Sequence, residues 1–182
     1  MTSDIAERAL PEADADALKV EFLEAMSRAA CTVSIVATDG PAGRLGVTVS
    51  AMTSVSADGP HPALLVCVHH KSPVAAAILE NGVFSVNVLR DDQSGVSDCF
   101  AGRTAQPARD RFGCAAFTTG ATGAPRMTQA LSVFDCRLAG HWRIGTHYVL
   151  VGNVEDIGTA PAGAPLIYAG RAYATPAALH SA

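Results

Sequence analysis

The sequence predicts a mainly β protein, a small antiparallel barrel with short helices packed outside it. Segments that alternate apolar and polar side chains outnumber the helical ones. The helical segments are short and do not recur between strands in the regular order of a doubly wound sheet. Turn residues punctuate the gaps, as at Asp39-Gly40-Pro41 and Asn81-Gly82.

In chain order, residues 1–16 are polar and alanine-rich and are expected to form a flexible leader. Residues 18–28 read as a helix with Leu18, Phe22, Ala25 and Met26 near one face. A strand over 33–38 turns at 39–43 into a second over 46–51, giving a hairpin. In that second strand Val47, Val49 and Ala51 share one face and Gly46, Thr48 and Ser50 the other, the period of a half-buried strand. Further hydroxyls follow at Thr53, Ser54 and Ser56. After Pro60-His61-Pro62 comes an apolar strand over 63–68, which ends in His69-His70-Lys71-Ser72. Ser72 is placed to cap a short helix that Asn81-Gly82 ends.

Residues 84–89 alternate as a strand, and the polar stretch 91–112 suits short helices. Residues 118–125 read as a loop, and 131–138, 148–154 and 166–173 as further strands. Asp135, between Phe134 and Cys136, is expected on an exposed strand face, and Trp142 in the core. One domain is expected over 17–176, with a tail over 177–182.

Composition narrows the function. The 182 residues are 49% hydrophobic and only 16% charged, enough apolar material for a sizeable core and for an oligomer interface. The net charge is −4 with no basic stripe, so nucleic acid is not an expected partner. Five cysteines lie at 31, 67, 99, 114 and 136 without a C-x-x-C, and read as reduced core thiols of a cytoplasmic protein. No apolar run reaches the length of a membrane span, and the acidic N-terminus does not read as a signal peptide.

The chemistry gathers in residues 44–72. Small side chains let a flat ring approach the backbone, and hydroxyls can bond a polyol chain or phosphate. Two imidazoles and a Lys beside a helix start offer positive charge. The same residues also suit a Ser/Thr-rich strand pair of any barrel, ending in a solvated basic turn. No Rossmann fingerprint, P-loop, esterase elbow or H-E-x-x-H spacing occurs. No metal site is expected, since neighbours such as His69 and His70 on a strand would face opposite ways.

The ordered series resembles the short-chain flavin reductase family, whose pattern runs roughly G-x-T-x-S-[AS]-x-x-S-V-S and then L-[LV]-x-C-[VL]-N-[RK]-x-S. Here it reads Gly46, Thr48, Ser50, Ala51, Ser54, Val55 and Ser56, then Leu64, Leu65, Cys67, Val68 and Ser72. The resemblance continues through Asn81-Gly82, Phe84, Asn87, Gln93, Phe100-Ala101-Gly102-Arg103, Arg111-Phe112, Gly123-Ala124-Pro125 and Phe134-Asp135-Cys136. Gly145-Thr146-His147, Gly152, Tyr168, Arg171 and Tyr173 end it, so it covers about residues 20–175.

The resemblance implies an FMN-binding split β-barrel, antiparallel and Greek-key-like. It also implies a dimer and hydride transfer from NADH or NADPH to FMN, with FAD as the alternative flavin. Thr48, Ser50, Ala51, Met52, Thr53 and Ser54 would line the ring and ribityl chain. His69, His70, Lys71 and Ser72 would hold the phosphate. Asn87 and Gln93 would make polar contacts, and Cys67 and Phe100 complete the cofactor-binding set. His147 would place the nicotinamide. His69 and His70 depart from the family's Asn-Arg/Lys pair, and Lys71 offers the charge one position later. Thr146 stands where some members carry Asp.

The reading is an NAD(P)H-dependent flavin reductase that supplies reduced flavin to a partner monooxygenase. The alternatives are a reductase of another acceptor such as a cobalt corrinoid, a flavin-binding module without turnover, and a ligand-free interaction barrel.

Overall fold

Alternating small and apolar side chains carry much of the chain into strands, and seven of these pair into one antiparallel sheet. The computed structural model describes residues 12–179. Helix α1 (Glu12–Ser27) precedes β1 (Cys31–Thr32), β2 (Ser34–Thr38), β3 (Leu45–Val49), β4 (Met52–Ser56) and β5 (Ala63–His69). Helix α2 (Pro73–Asn81), β6 (Val83–Val88), helix α3 (Ser94–Phe100) and a 3-10 helix (Ala108–Cys114) follow. The chain continues through β7 (Phe117–Thr119), β8 (Pro125–Met127), the long β9 (Ser132–Ile144) and β10 (His147–Thr159), and the closing β11 (Ile167–Ala169) and β12 (Ala172–Ala174).

The large sheet runs β3-β2-β6-β9-β10-β5-β4, beside the smaller sheets β1-β11-β12 and β7-β8. Its edge strands β3 and β4 are consecutive in sequence, joined through Ser50 and Ala51. The Ala51 carbonyl accepts the Cys67 N–H at 3.1 Å, so the connection is pinned to β5 while β3 and β4 leave the barrel split between them.

Strand periodicity sorts the core into two layers. Val36, Val66, Val68, Phe84, Val86 and Leu150 pack inside the barrel with Val74 and Ile78 of α2. Ile35, Ala37, Leu89, Phe100, Met127 and Val133 form a second cluster on the outer side of β2 and β6. β2 and β6 are therefore buried on both faces, where alternation had suggested one. The polar members of β6 are satisfied internally: Asn87 Nδ2 donates to the Ile35 carbonyl at 3.1 Å, and its Oδ1 accepts the Met127 N–H at 2.7 Å. α2 fits its expected place, with Pro73 at its start and Gly82 left-handed at φ 70°, donating its N–H to the Ile78 carbonyl; Ser72 stands at the N-cap position, but its hydroxyl makes no cap bond.

Several expectations change. Residues 12–16 already belong to α1, while 1–11 and 180–182 lie outside the described residues. The expected apolar face of α1 has no covering partner among the described residues, and Leu18, Phe22 and Met26 are 48–60% exposed. The loop over 118–125 is the β7–β8 hairpin. Asp135 is fully buried, not exposed: it accepts the Thr122 N–H at 3.1 Å and the Thr122 hydroxyl, and so fastens that hairpin to β9. Trp142 is 51% exposed because β9 runs past the core before turning into β10. Cys99 and Cys114 are joined in a disulfide, their Cα atoms 6.8 Å apart, where Phe100, Phe112 and Phe117 pack α3 against the 3-10 helix. Cys31, Cys67 and Cys136 are free.

Candidate functional site

The end of β3 and the start of α2 border one trough, and its floor depends on small side chains. A Cβ on Gly46 would stand 2.7 Å from Phe100 Cε1, so only glycine lets α3 lie this close to β3. Thr48 then donates its hydroxyl to the Ser97 carbonyl at 2.7 Å, tying strand to helix. On this side Thr48, Val49 and Ser50 line a cavity of about 200 Å³ with Val33, Ser97, Ala101, Arg103, Tyr168 and Tyr173. On the other side the same three residues line a cavity of about 240 Å³ with Val47, Ala51, Cys67, Val68, His69, Ser72 and His147. The two cavities share Thr48, Val49 and Ser50, and together they are called the trough, each being one arm.

The first arm is closed by a polar set. The Tyr173 hydroxyl lies 2.8 Å from Asp98 Oδ1 and 2.9 Å from Ser97 Oγ. Burial raises the phenol above its ordinary value; the Ser97 hydrogen bond opposes the shift and the Asp98 bond adds to it. Arg103 donates to Asp98 Oδ1 at 3.0 Å and lies over the Tyr173 ring, 6.0 Å from its centroid.

The second arm ends in imidazoles. His69 closes β5 and His147 opens β10, and the two are cross-strand partners. Their ring centroids stand 5.0 Å apart, edge to face. His70 stacks on His69 at 5.0 Å with planes 20° apart. The opposite-face expectation fails because His69 is the last strand residue and His70 already lies in the turn. Among the described residues no group of three or more His, Cys, Asp or Glu is arranged to hold a metal ion. The Lys71 N–H donates to His69 Nδ1 at 3.1 Å, which selects the tautomer with the proton on Nε2. Thr146 Oγ1 lies 3.0 Å from His147 Nδ1. Burial raises the Cys67 thiol above its ordinary value, so it sits in the arm as a neutral group.

The structure thus brings together Thr48, Ser50, Ala51, Cys67, His69, Ser72 and His147 from the expected set, with His70 and Lys71 beside them. Others go elsewhere. Met52 and Ser54 line a separate cleft with Leu64, Phe134 and Ile157, and Thr53 is exposed on the edge strand. Asn87 and Phe100 are fully buried in the second core layer, Phe100 acting from beneath Gly46. Gln93 caps a turn instead, accepting the Arg90 N–H at 2.9 Å and donating to the Gln129 carbonyl at 2.8 Å. It lines a cavity of about 650 Å³, which opens at the far end of β9 and β10 among Arg90, Arg126 and Gly158. Ser97, Asp98, Arg103, Tyr168 and Tyr173 join the trough from segments distant in sequence, and no local spacing links them to Thr48.

The donor set suits a phosphorylated, hydroxyl-rich ligand with a flat ring. Hydroxyls and small side chains occupy the middle of the trough, and imidazoles and Lys71 stand at one end. A family model described as flavin reductase like domain matches residues 26–177. The FMN reductase (NADH) RutF of Methylorubrum extorquens strain DM4 is 42% identical over 154 residues, covering 85% of this chain and 73% of its own length. That of Enterobacter cloacae is 41% identical over 155 residues, covering 85% and 92%. Among solved structures, BorF, the flavin reductase component of a bacterial two-component tryptophan halogenase, superposes with TM-score 0.78 at 30% identity, covering 86% of this chain and 97% of its own. Flavin reductase PheA2 superposes with TM-score 0.77 at 26% identity, covering 87% and 98%.

Proposed function

The chain belongs to the flavin reductase like domain family, and from that premise we propose that it is an NADH-dependent FMN reductase. The observation that carries this reading is the trough itself, open and lined by hydroxyls and small side chains between a Tyr173–Asp98–Arg103 set and a histidine cluster. It lies in a chain 41–42% identical to NADH-dependent FMN reductases.

When bound, the flavin supplies the redox chemistry, taking two electrons and a proton as hydride from the nicotinamide. The chain's own residues bind and orient. Thr48 and Ser50 bond the polyol side, and Ser72, His69, His70 and Lys71 meet the phosphate. His147, on the hairpin beside His69, sets the nicotinamide over the ring. No nucleophile or paired acid and base is required, because hydride transfer asks for alignment at close approach rather than a protein proton donor.

Two features support further parts of the reading. The exposed apolar side chains of α1 suit a second copy of the chain, which gives a homodimer. The reduced flavin is passed on to a monooxygenase component; the similar BorF is likewise the reductase component of a two-component system, a tryptophan halogenase. No helix among the described residues is long and apolar enough to cross a membrane.

The test is NADH oxidation followed at 340 nm with purified protein, with and without FMN and with NADPH in parallel. FMN-dependent oxidation that saturates with free flavin is expected. Bound flavin with no oxidation of either nicotinamide would replace the reductase by a binding module.

A further inference from the structure

Where the pattern resembled by this chain carries Asn and a fixed cation, the trough ends in imidazoles. The groups acting on His70 are all cationic or imidazole: Arg143 from β9, His69 from β5, Lys71 from the turn and His147 from β10. Desolvation first, and then these neighbours, hold the pKa of this half-buried residue below the ordinary value. His69 is committed as an acceptor to the Lys71 N–H. His70, stacked on it, is the ring free to change charge without breaking a bond of the turn.

We propose that His70, stacked on His69 and next to Lys71 in the turn, makes this end of the trough a proton-coupled selector for a phosphorylated flavin, separating FMN from riboflavin by a margin that widens as the pH falls. The proposal rests on the flavin reading above. A dianionic phosphate placed among these cations reverses the field at His70 and favours the imidazolium. Binding therefore draws one proton from solvent onto the ring. The proton is taken up between the lowered value of the free protein and the raised value of the complex, and the gain is lost as pH rises through the latter. The useful window lies above the second ionisation of a phosphate monoester, near pH ~6. Riboflavin has the same ring without the phosphate and is the internal reference.

The experiment measures FMN and riboflavin affinities by flavin fluorescence from pH 8.5 to 6.5. It is paired with calorimetry of FMN binding in buffers of different ionisation enthalpy. The ratio of the two affinities is expected to rise by up to about tenfold per pH unit, the limit for one coupled proton, with proton uptake in the calorimeter. His70→Asn is expected to flatten the ratio and abolish the uptake. Lys71→Met is expected to lower the ratio at every pH and keep its slope. A flat ratio in the unaltered protein, or a slope that survives His70→Asn, overturns the selector and leaves the flavin reading standing. Failure of both flavins to bind overturns both. A pH slope with NAD⁺ but none with FMN assigns the cluster to the dinucleotide and overturns the proposal.

Discussion

Single residues decide how the trough is built, and glycine at 46 is the sharpest case. A methyl group there would press on Phe100 at 2.7 Å, and Phe100 is fully buried. Gly46→Ala should cost about 1–3 kcal/mol through overpacking, read as a lower urea midpoint, and should weaken FMN binding because α3 is pushed from Thr48. His147 behaves differently, since its ring is exposed and touches His69 from the side. His147→Ala should leave the urea midpoint unchanged and lower kcat/KM for NADH about tenfold to a hundredfold, the effect of misplacing a reacting partner. The sequence pattern led to both residues. It did not reveal that Asn87 and Asp135 are internal fasteners. A polar residue on an alternating strand reads as exposed unless the hairpin that covers it is known, and β8 reaches β6 from a distant part of the chain.

At the scale of elements, local signals served where the cause was local. The β2–β3 hairpin, the start of α2 after Ser72 and its end at Gly82 all follow from nearby residues. In the sequence β4 shows only a run of hydroxyls. Its strand character comes from pairing with β5 after the chain crosses the barrel at Ser50–Ala51, which no window along the sequence contains. The lengths of β9 and β10 were missed similarly, because past the core each supports the other without an apolar face. α1 was legible as a helix, yet its apolar side chains find no cover in the described chain. Phe22→Asp on its exposed face should convert a dimer to a monomer in sedimentation and leave the β-sheet circular dichroism unchanged. A dimer that persists would free α1 from that role.

For the whole molecule, the doubly covered β2 and β6 make the barrel wall nearly dry, and one thiol is caught in it. Burial, with Asp135 and Glu155 adding, pushes Cys136 up to about 12 from an ordinary value of 9.0. The unfolded chain can ionise this thiol where the folded one cannot. Its contribution to stability is complete below pH 9.0 and is lost as pH rises toward about 12. Urea midpoints should fall across that alkaline range, and Cys136→Ala should fall less steeply from its own starting value. The fold class was legible because it rests on counts and periods summed over many segments. The second arm of the trough was legible because residues 47–51 and 67–72 build most of it, whereas the first depends on α3, β11 and β12 meeting β3.

The link between Cys99 and Cys114 has one more consequence, for the chain as a covalent object. It ties together the two sides of a 15-residue separation that holds exposed Arg103. Trypsin cutting after Arg103 should not release a fragment. The nicked protein should run as one band on a non-reducing gel and as two after reduction, and β12, which supplies Tyr173, stays tethered to the strands that precede the cut.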